Sequence, residues 1–297
     1  MSEGLSIHRL YSFLEVVEKK GFTAAAPQDP VRQSQLSRQV GELERYFGKE
    51  LFQRRGRGVV VTPAGALLAT LVRELQKGFE EVKAEPADAP LPYSFGAGDS
   101  LLQWWVVPRI GDVARQVPQA VASLVSLSSS DVVTQLQDAR LDFGLVRANE
   151  VPKGLESRPI GRLEYALYVP RKLRGQAREV DELLARVPLA LQQSEPELNE
   201  RLLALAGKHG KPRVALACET FPQACSAVRS GKYAALLPTI VDEELADSKV
   251  IVKVPLVGLG RLAAKLHLAW HPRTTRRNEN LARVAQVLEE CLRFERV

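Results

Sequence analysis

No stretch of this 297-residue chain approaches the run of about 18 apolar residues that a membrane-spanning helix needs. The opening, "MSEGLSIHRLYSF", carries an early Glu and no apolar core, so no secretory signal is read and the cytosol is the expected compartment. Three cysteines, Cys218, Cys225 and Cys291, are too few and too scattered for a disulfide framework. His8, His209, His267 and His271 fall in no pattern of zinc-ligand spacing with them, so no metal is expected. There is no HExxH, no GxSxG and no phosphate-cradling glycine loop. These absences point away from an enzyme and from a bound cofactor.

What the chain does have is a local excess of positive charge. The net charge is +6 and the pI about 9.3, a mild bias toward polyanionic partners. The distribution says more. Between Val31 and Gly58 stand Arg32, Arg38, Arg45, Lys49, Arg54, Arg55 and Arg57, against Glu42, Glu44 and Glu50.

The same region is strongly patterned. Ile7, Leu10, Phe13, Leu14 and Val17 recur at helical spacing and predict a first amphipathic helix. Thr23 is read as the N-cap of a short second helix, "AAAPQ", which Pro30 ends by forcing Asp29 out of the helical region. Leu36, Val40, Leu43 and Phe47 line one face of a third helix, stopped by Gly48. "LFQRRGRGVVVT" then alternates around a glycine turn, as a hairpin would. Three helices and a two-stranded wing suit a major-groove reader. The stripe anchors the third helix, leaving Gln33, Ser34, Ser37 and Arg38 near its N-terminal end. Gln and Arg are the side chains that bond adenine and guanine bidentately. Arg54, Arg55 and Arg57 on the hairpin are placed for backbone or minor groove. The plain alternative is a solvated basic face, with Arg54 tying the wing to the third helix.

Thr62-Pro63 opens a long helix, to about Glu85 and roughly 35 Å at ~1.5 Å per residue. Leu68, Val72, Leu75, Phe79 and Val82 alternate as in a coiled-coil seam and are read as a dimer interface. "EPADAPLP" is a linker by composition. Beyond it strand-like and helical segments alternate, which argues for parallel α/β sheets.

The N-terminal residues resemble those of the LysR-type transcriptional regulators. The likeness is carried by "FTAAA", by "QSQLSRQV" followed by "LE", by "FGKELFQR" and by "TPAG", across about residues 5–75. The resemblance implies an α + α/β chain. A winged helix-turn-helix DNA-binding domain would occupy residues 1–62 and a linker and dimerisation helix 63–88. A two-subdomain, periplasmic-binding-protein-like effector domain would occupy 92–297. Subdomain I would take about 92–162 and 268–297, and subdomain II 163–267, with "EYALYVP" and "LHLAWHP" as crossovers. By position, Gln33, Ser34, Ser37 and Arg38 would contact DNA from the recognition helix. Thr23 and Ala24 would meet phosphate, and Arg55 and Arg57 would act from the wing. Homodimers, commonly paired into homotetramers, would read a promoter or operator in double-stranded DNA, with RNA polymerase a further contact. Two positions depart from the family pattern: Asp29 stands where a leucine is usual, and Arg32 where Ser or Thr usually caps the recognition helix. Together with Pro27 and Pro30, they bear on where that helix begins.

In the C-terminal part, polar residues follow strand-like runs: Ser100, Ser128 and Ser129, Arg147, Gln192 with Gln193 and Ser194, and Thr220. Ligands of open α/β sheets sit beyond strand C-termini, where helix N-termini converge. Ser100, Ser128, Ser129, Arg147, Gln192, Gln193, Ser194 and Thr220 are therefore expected to line one cleft for an anionic or polar small-molecule effector. Ser100, Ser128 and Thr220 equally suit plain N-caps. Cys218 and Cys225 raise redox sensing, against which buried inert thiols are the commoner case. The alternative for the whole chain is a small-molecule-binding or enzymatic α/β protein whose helical N-terminus only dimerises it.

Overall fold

The computed structural model describes residues 5–55, 58–83, 90–175, 177, 179–193, 195–206, 210, 212–245, 250–256 and 263–294. Arg57 and Ser194 lie outside them, as does the side chain of Val82. The chain forms two compact units: Met1–Pro90 with Thr134–Leu141, and Leu91–Val133 with Asp142–Val297.

The first unit begins with α1 (Ile7–Glu18), whose N-cap Ser6 accepts a bond from the Arg9 N–H. It continues through α2 (Phe22–Ala25) and α3 (Pro30–Phe47). An antiparallel hairpin, β1 (Phe52–Arg55) and β2 (Gly58–Val61), leads into α4 (Pro63–Lys83). Phe13, Leu14, Val40, Leu43, Leu51, Leu68, Ala69 and Val72 are buried together. Each fully buried side chain of this kind contributes on the order of 1.5–3 kcal/mol.

Four expectations for this unit are corrected. Thr23 is not a cap: α2 starts two residues earlier than expected, at Phe22 with Gly21 at its N-cap, and ends before Pro27. Pro30 does not merely end α2 but is the first residue of α3, where its missing N–H costs nothing. Phe47 is 40% exposed, and its ring meets Tyr46 edge-on instead of closing the apolar stripe. Leu68 and Val72, read as dimer seam, are buried in this unit's own core against α1 and α3. Heptad spacing marks a face that must be covered and is silent on what covers it. Among the described residues the exposed large apolar side chains of α4 are Leu67 and Leu71, 59% and 42% exposed, while Leu75 and Phe79 are half-buried.

The second unit carries two five-stranded mixed sheets, not the parallel sheets expected. Its elements run β3 (Leu91–Ala97), α5 (Asp99–Leu101) continuing as a π-turn through Leu102–Val106, α6 (Gly111–Gln116) and β4 (Ala120–Ser126). Next come α7 (Ser129–Gln137), whose residues from Thr134 on count with the first unit, β5 (Phe143–Arg147) and β6 (Glu156–Leu163). The chain continues as β7 (Tyr165–Pro170), α8 (Arg171–Arg174), α9 (Val180–Arg186), β8 (Pro188–Gln192) and α10 (Pro196–Ala204). Then follow β9 (Arg213–Cys218), α11 (Phe221–Arg229), β10 (Ala234–Pro238), α12 (Asp242–Leu245) and β11 (Ile251–Val254). The last elements are β12 (Ala264–Trp270), α13 (Pro272–Arg277) and α14 (Glu279–Leu292).

One sheet has the order β4-β3-β5-β12-β6 and the other β11-β7-β10-β8-β9. Strands β3, β4 and β5 run parallel, as do β8, β9 and β10, whereas β6, β7, β11 and β12 pair antiparallel. "EYALYVP" and "LHLAWHP" are therefore not crossovers but strands β7 and β12, one in each sheet. The chain changes sheets at Glu164, between β6 and β7, and again between Val254 and Ala264. The first sheet thus regains the chain by Ala264 rather than from residue 268.

Candidate functional site

The first unit presents a basic edge. Asp29 is the N-cap of α3: its carboxylate accepts from the Arg32 N–H at 2.9 Å. The departure from family pattern at this position supplies the cap that Arg32 cannot. The Arg32 guanidinium instead pairs with Glu15 of α1 at 2.7 Å, fixing the helix start against its neighbour. Gln33 is half-buried and donates from Nε2 to the Ala26 carbonyl at 3.0 Å, so its amide braces the turn. Ser34, Ser37 and Arg38 are exposed on the opposite face from Leu36 and Val40, and Thr23 and Ala24 are exposed on α2.

On the wing, Arg54 and Arg55 are exposed, and neither they nor Arg38 make a salt bridge among the described residues. Arg54 does not tie the wing to α3. Glu44 does, its Oε1 accepting from the Leu51 and Phe52 N–H groups at 2.8 and 3.2 Å. Sequence reasoning missed Glu44 because a glutamate in the last turn of a helix looks like solvated surface.

The second unit holds a cleft of about 540 Å³ beyond the C-terminal ends of β3, β4, β5, β8 and β9, where strand-end ligands bind. Six expected residues line it: Ser100, Ser128, Ser129, Arg147, Gln192 and Thr220. Gln193 does not. It lies in the turn just past β8 with its side chain exposed, whereas Gln192, the last residue of β8, is buried. Gln192 Nε2 donates to the Glu219 carbonyl at 2.8 Å.

The hydroxyls both cap and line. Ser128 Oγ accepts from the Asp131 N–H at the start of α7, and Thr220 Oγ1 accepts from the Gln223 N–H at the start of α11. Ser129 Oγ accepts from the Arg147 N–H at 3.1 Å. Arg147 is ion-paired with Glu195 and stands 3.5 Å from Glu150. Burial works against its charge but is outweighed by Glu195, then by Tyr165 and Glu150, so its pKa lies above the ordinary arginine value. Burial raises the Glu195 pKa despite Arg147. Burial, then Glu195, raises that of Tyr165, another lining residue. Asp99, Asp131, Glu150, Glu195 and Tyr165 were missed because they come from separate segments with no shared motif.

Cys218 and Cys225 are buried free thiols. Burial raises both pKa values, that of Cys225 to about 11, the reverse of what a reactive thiol needs. Among the described residues no group of His, Cys, Asp and Glu is placed to hold a metal ion, and no helix is long and apolar enough to cross a membrane.

Comparison with known proteins agrees with this layout. Residues 7–66 match the family model described as "Bacterial regulatory helix-turn-helix protein, lysR family", and residues 92–293 match "LysR substrate binding domain". The chain is 27% identical over 252 residues to the HTH-type transcriptional regulator DgdR of Burkholderia cepacia, covering 83% of this chain and 82% of that one. It is 31% identical over 199 residues to the HTH-type transcriptional regulator TfdT of Cupriavidus pinatubonensis, covering 63% of this chain and 85% of TfdT. Among solved structures, a full-length OxyR of Pseudomonas aeruginosa shares the fold with a TM-score of 0.67 at 18% identity, over 98% of this chain and 95% of that one. With its two family matches spanning both units, the chain belongs to the LysR family of bacterial transcriptional regulators.

Proposed function

We propose that this regulator reads a promoter site through α3 and the wing, and that a small molecule in the cleft of the second unit tunes that binding. Arg38 reads a base edge, Ser34 and Ser37 sit against the groove, and Thr23, Ala24, Arg54 and Arg55 meet the phosphate backbone. The supporting observation is that Arg38, Arg54 and Arg55 are exposed and make no salt bridge among the described residues, beside a helix whose other face buries Leu36, Val40 and Leu43. Gln33 braces the turn and is withdrawn as a base contact. The protein acts in the cytoplasm as a homodimer or an assembly of dimers, with a second copy covering Leu67 and Leu71 of α4. It performs no catalysis. Effector binding works by population shift: a ligand that favours one arrangement of the effector unit changes the affinity for the operator.

Selection of bound duplexes from a random pool, followed by titration against salt, tests the reading. With about six phosphate contacts, affinity falls roughly a thousandfold between about 50 and 200 mM salt. Arg38→Ala is expected to cost about 1–3 kcal/mol and relax one base position. Arg55→Ala is expected to weaken all sequences alike and lower the salt slope by about one. An enzyme that uses its N-terminal helices only to dimerise would show no selected sequence and a shallow salt response.

A further inference from the structure

The charge of the cleft lining identifies the class of effector, an inference that rests on reading this cleft as the effector site. Among the described residues five acidic ones line it, Asp99, Asp131, Glu150, Glu195 and Glu219, against one arginine, Arg147. They stand on both walls. Asp99 and Asp131 follow strands β3 and β4 of one sheet, and Glu195 and Glu219 follow β8 and β9 of the other. We infer that the effector is a small organic cation, an amine or a guanidine, held between these carboxylates with the serine hydroxyls as further acceptors.

Three observations support the choice. First, Arg147 is not available to an anion as the structure stands. Its two terminal nitrogens already face Glu195 and Glu150. An anion taking that place would leave a partly buried carboxylate without its counter-charge, which is among the most costly arrangements a protein can hold. Secondly, Asp99 and Asp131 accept hydrogen bonds from the neutral hydroxyls of Ser126 and Ser128 and make no salt bridge among the described residues. Hydroxyls orient a carboxylate without neutralising it, so both keep their full attraction for a cation. Thirdly, two of the helix starts at the cleft already carry a side-chain cap. Ser128 and Thr220 cap α7 and α11, and Asp131 lies in the first turn of α7, where its charge offsets the helix dipole. The raised pKa of Glu195 fits the same picture, since burial acts on it more strongly than Arg147 compensates.

The reading rejects the anionic alternative and keeps the polar one. It also gives Glu195 a defined place: it shares its carboxylate between Arg147 and the incoming cation, or exchanges one for the other. Removing its charge should therefore act on the two ligand classes in opposite directions.

The test uses the full-length protein and four named probes. Agmatine and putrescine, as chloride salts, are compared with succinate and benzoate, as sodium salts, at equal ionic strength. Melting temperature and operator affinity are both read. Agmatine or putrescine is expected to raise the melting temperature of the wild type by mass action and to change operator affinity, while the anions do neither. Asp131→Asn on one wall and Glu195→Gln on the other are each expected to weaken the cation about tenfold. Glu195→Gln, by freeing Arg147, is expected to let succinate begin to bind. Two variants on separate walls keep the test decisive should one of them fold poorly.

Stabilisation of the wild type by succinate or benzoate, abolished in Arg147→Ala, would overturn the cation while leaving the cleft as the effector site. A cation effect on melting that survives both acid substitutions would be a surface effect and would also overturn the assignment. Cation binding that is lost in both variants yet leaves operator affinity unchanged would uphold the charge class of the cleft and sink its regulatory role. No response to any of the four probes at about a hundred times a micromolar dissociation constant would reject the inference as a whole.

Discussion

Arg147 and Glu195 join the two sheets of the effector unit: Arg147 ends β5 of one, and Glu195 stands just before α10, which follows β8 of the other. The carboxylate pays for this position with a pKa above the ordinary 4.5, raised first by burial and also by Glu150 and Glu197, with Arg147 opposing. Arg147 stays charged across this range. The sign follows from linkage. A carboxylate whose folded pKa exceeds its unfolded one holds its proton longer when folded. Its contribution is fully present below 4.5 and is lost as pH rises through the raised value. Denaturant melts at stepped pH should show stability of the wild type falling relative to Glu195→Gln over that window. A difference that does not change with pH would show that Glu195 titrates normally.

Glu44 is the tether of the wing. Its one oxygen serves two backbone N–H groups, those of Leu51 and Phe52. Glu44→Ala should cost about 1–3 kcal/mol by leaving both donors without a protein partner, and Glu44→Gln less because an oxygen remains. Operator affinity should fall in Glu44→Ala although Arg54 and Arg55 are chemically intact. Urea melts and gel shifts on the same two variants check both halves of the expectation.

Much of this was legible in the residues. The apolar spacing of α1, α3 and α4 could be read because each helix has one buried face, and periodicity reports that directly. Pro30 was harder. The same proline ends one helix and begins the next, and only the Asp29 carboxylate on the Arg32 N–H shows which role governs. Strand β6 is hard to read from its residues because Arg158, Pro159, Gly161 and Arg162 break its alternation. It is an edge strand, where a missing donor and charged side chains are tolerated. The serines and Arg147 of the cleft could be placed at strand ends one segment at a time. That Glu150 and Glu195 hold Arg147 is a relation between distant segments, and no local pattern carries it.

Gly65, in the "TPAG" stretch, is required by contact. A Cβ there would lie 2.2 Å from the Leu51 carbonyl oxygen and 2.8 Å from Val61 Cγ1. The start of α4 lies that close to the wing because Thr62 both donates to the Glu50 carbonyl and caps the Gly65 N–H. Gly65→Ala should destabilise the protein by about 1–3 kcal/mol through overpacking. Gly78 in the same helix has open space around it, so Gly78→Ala should instead stabilise by about 0.5–1 kcal/mol. Thermal melts of the two variants should move in opposite directions.

Leu71 and Val72 are neighbours in α4 with opposite duties. Val72 is buried in the core with Phe13, Leu14 and Leu43, whereas Leu71 is 42% exposed, one turn beyond Leu67 on the same face. Val72→Ala should therefore cost about 1–3 kcal/mol of folding stability by opening a cavity. Leu71→Glu removes no core contact and should leave the unfolding of the isolated subunit nearly unchanged. It places a charge where a second copy's apolar face would lie, so sedimentation should show the dimer dissociating at concentrations where the Val72 variant stays paired. Operator affinity should fall with it, because two half-sites are then read by separate molecules. Should Leu71→Glu stay fully associated, the second copy is held by some other face of the protein, and Leu67 and Leu71 are ordinary solvent-exposed positions.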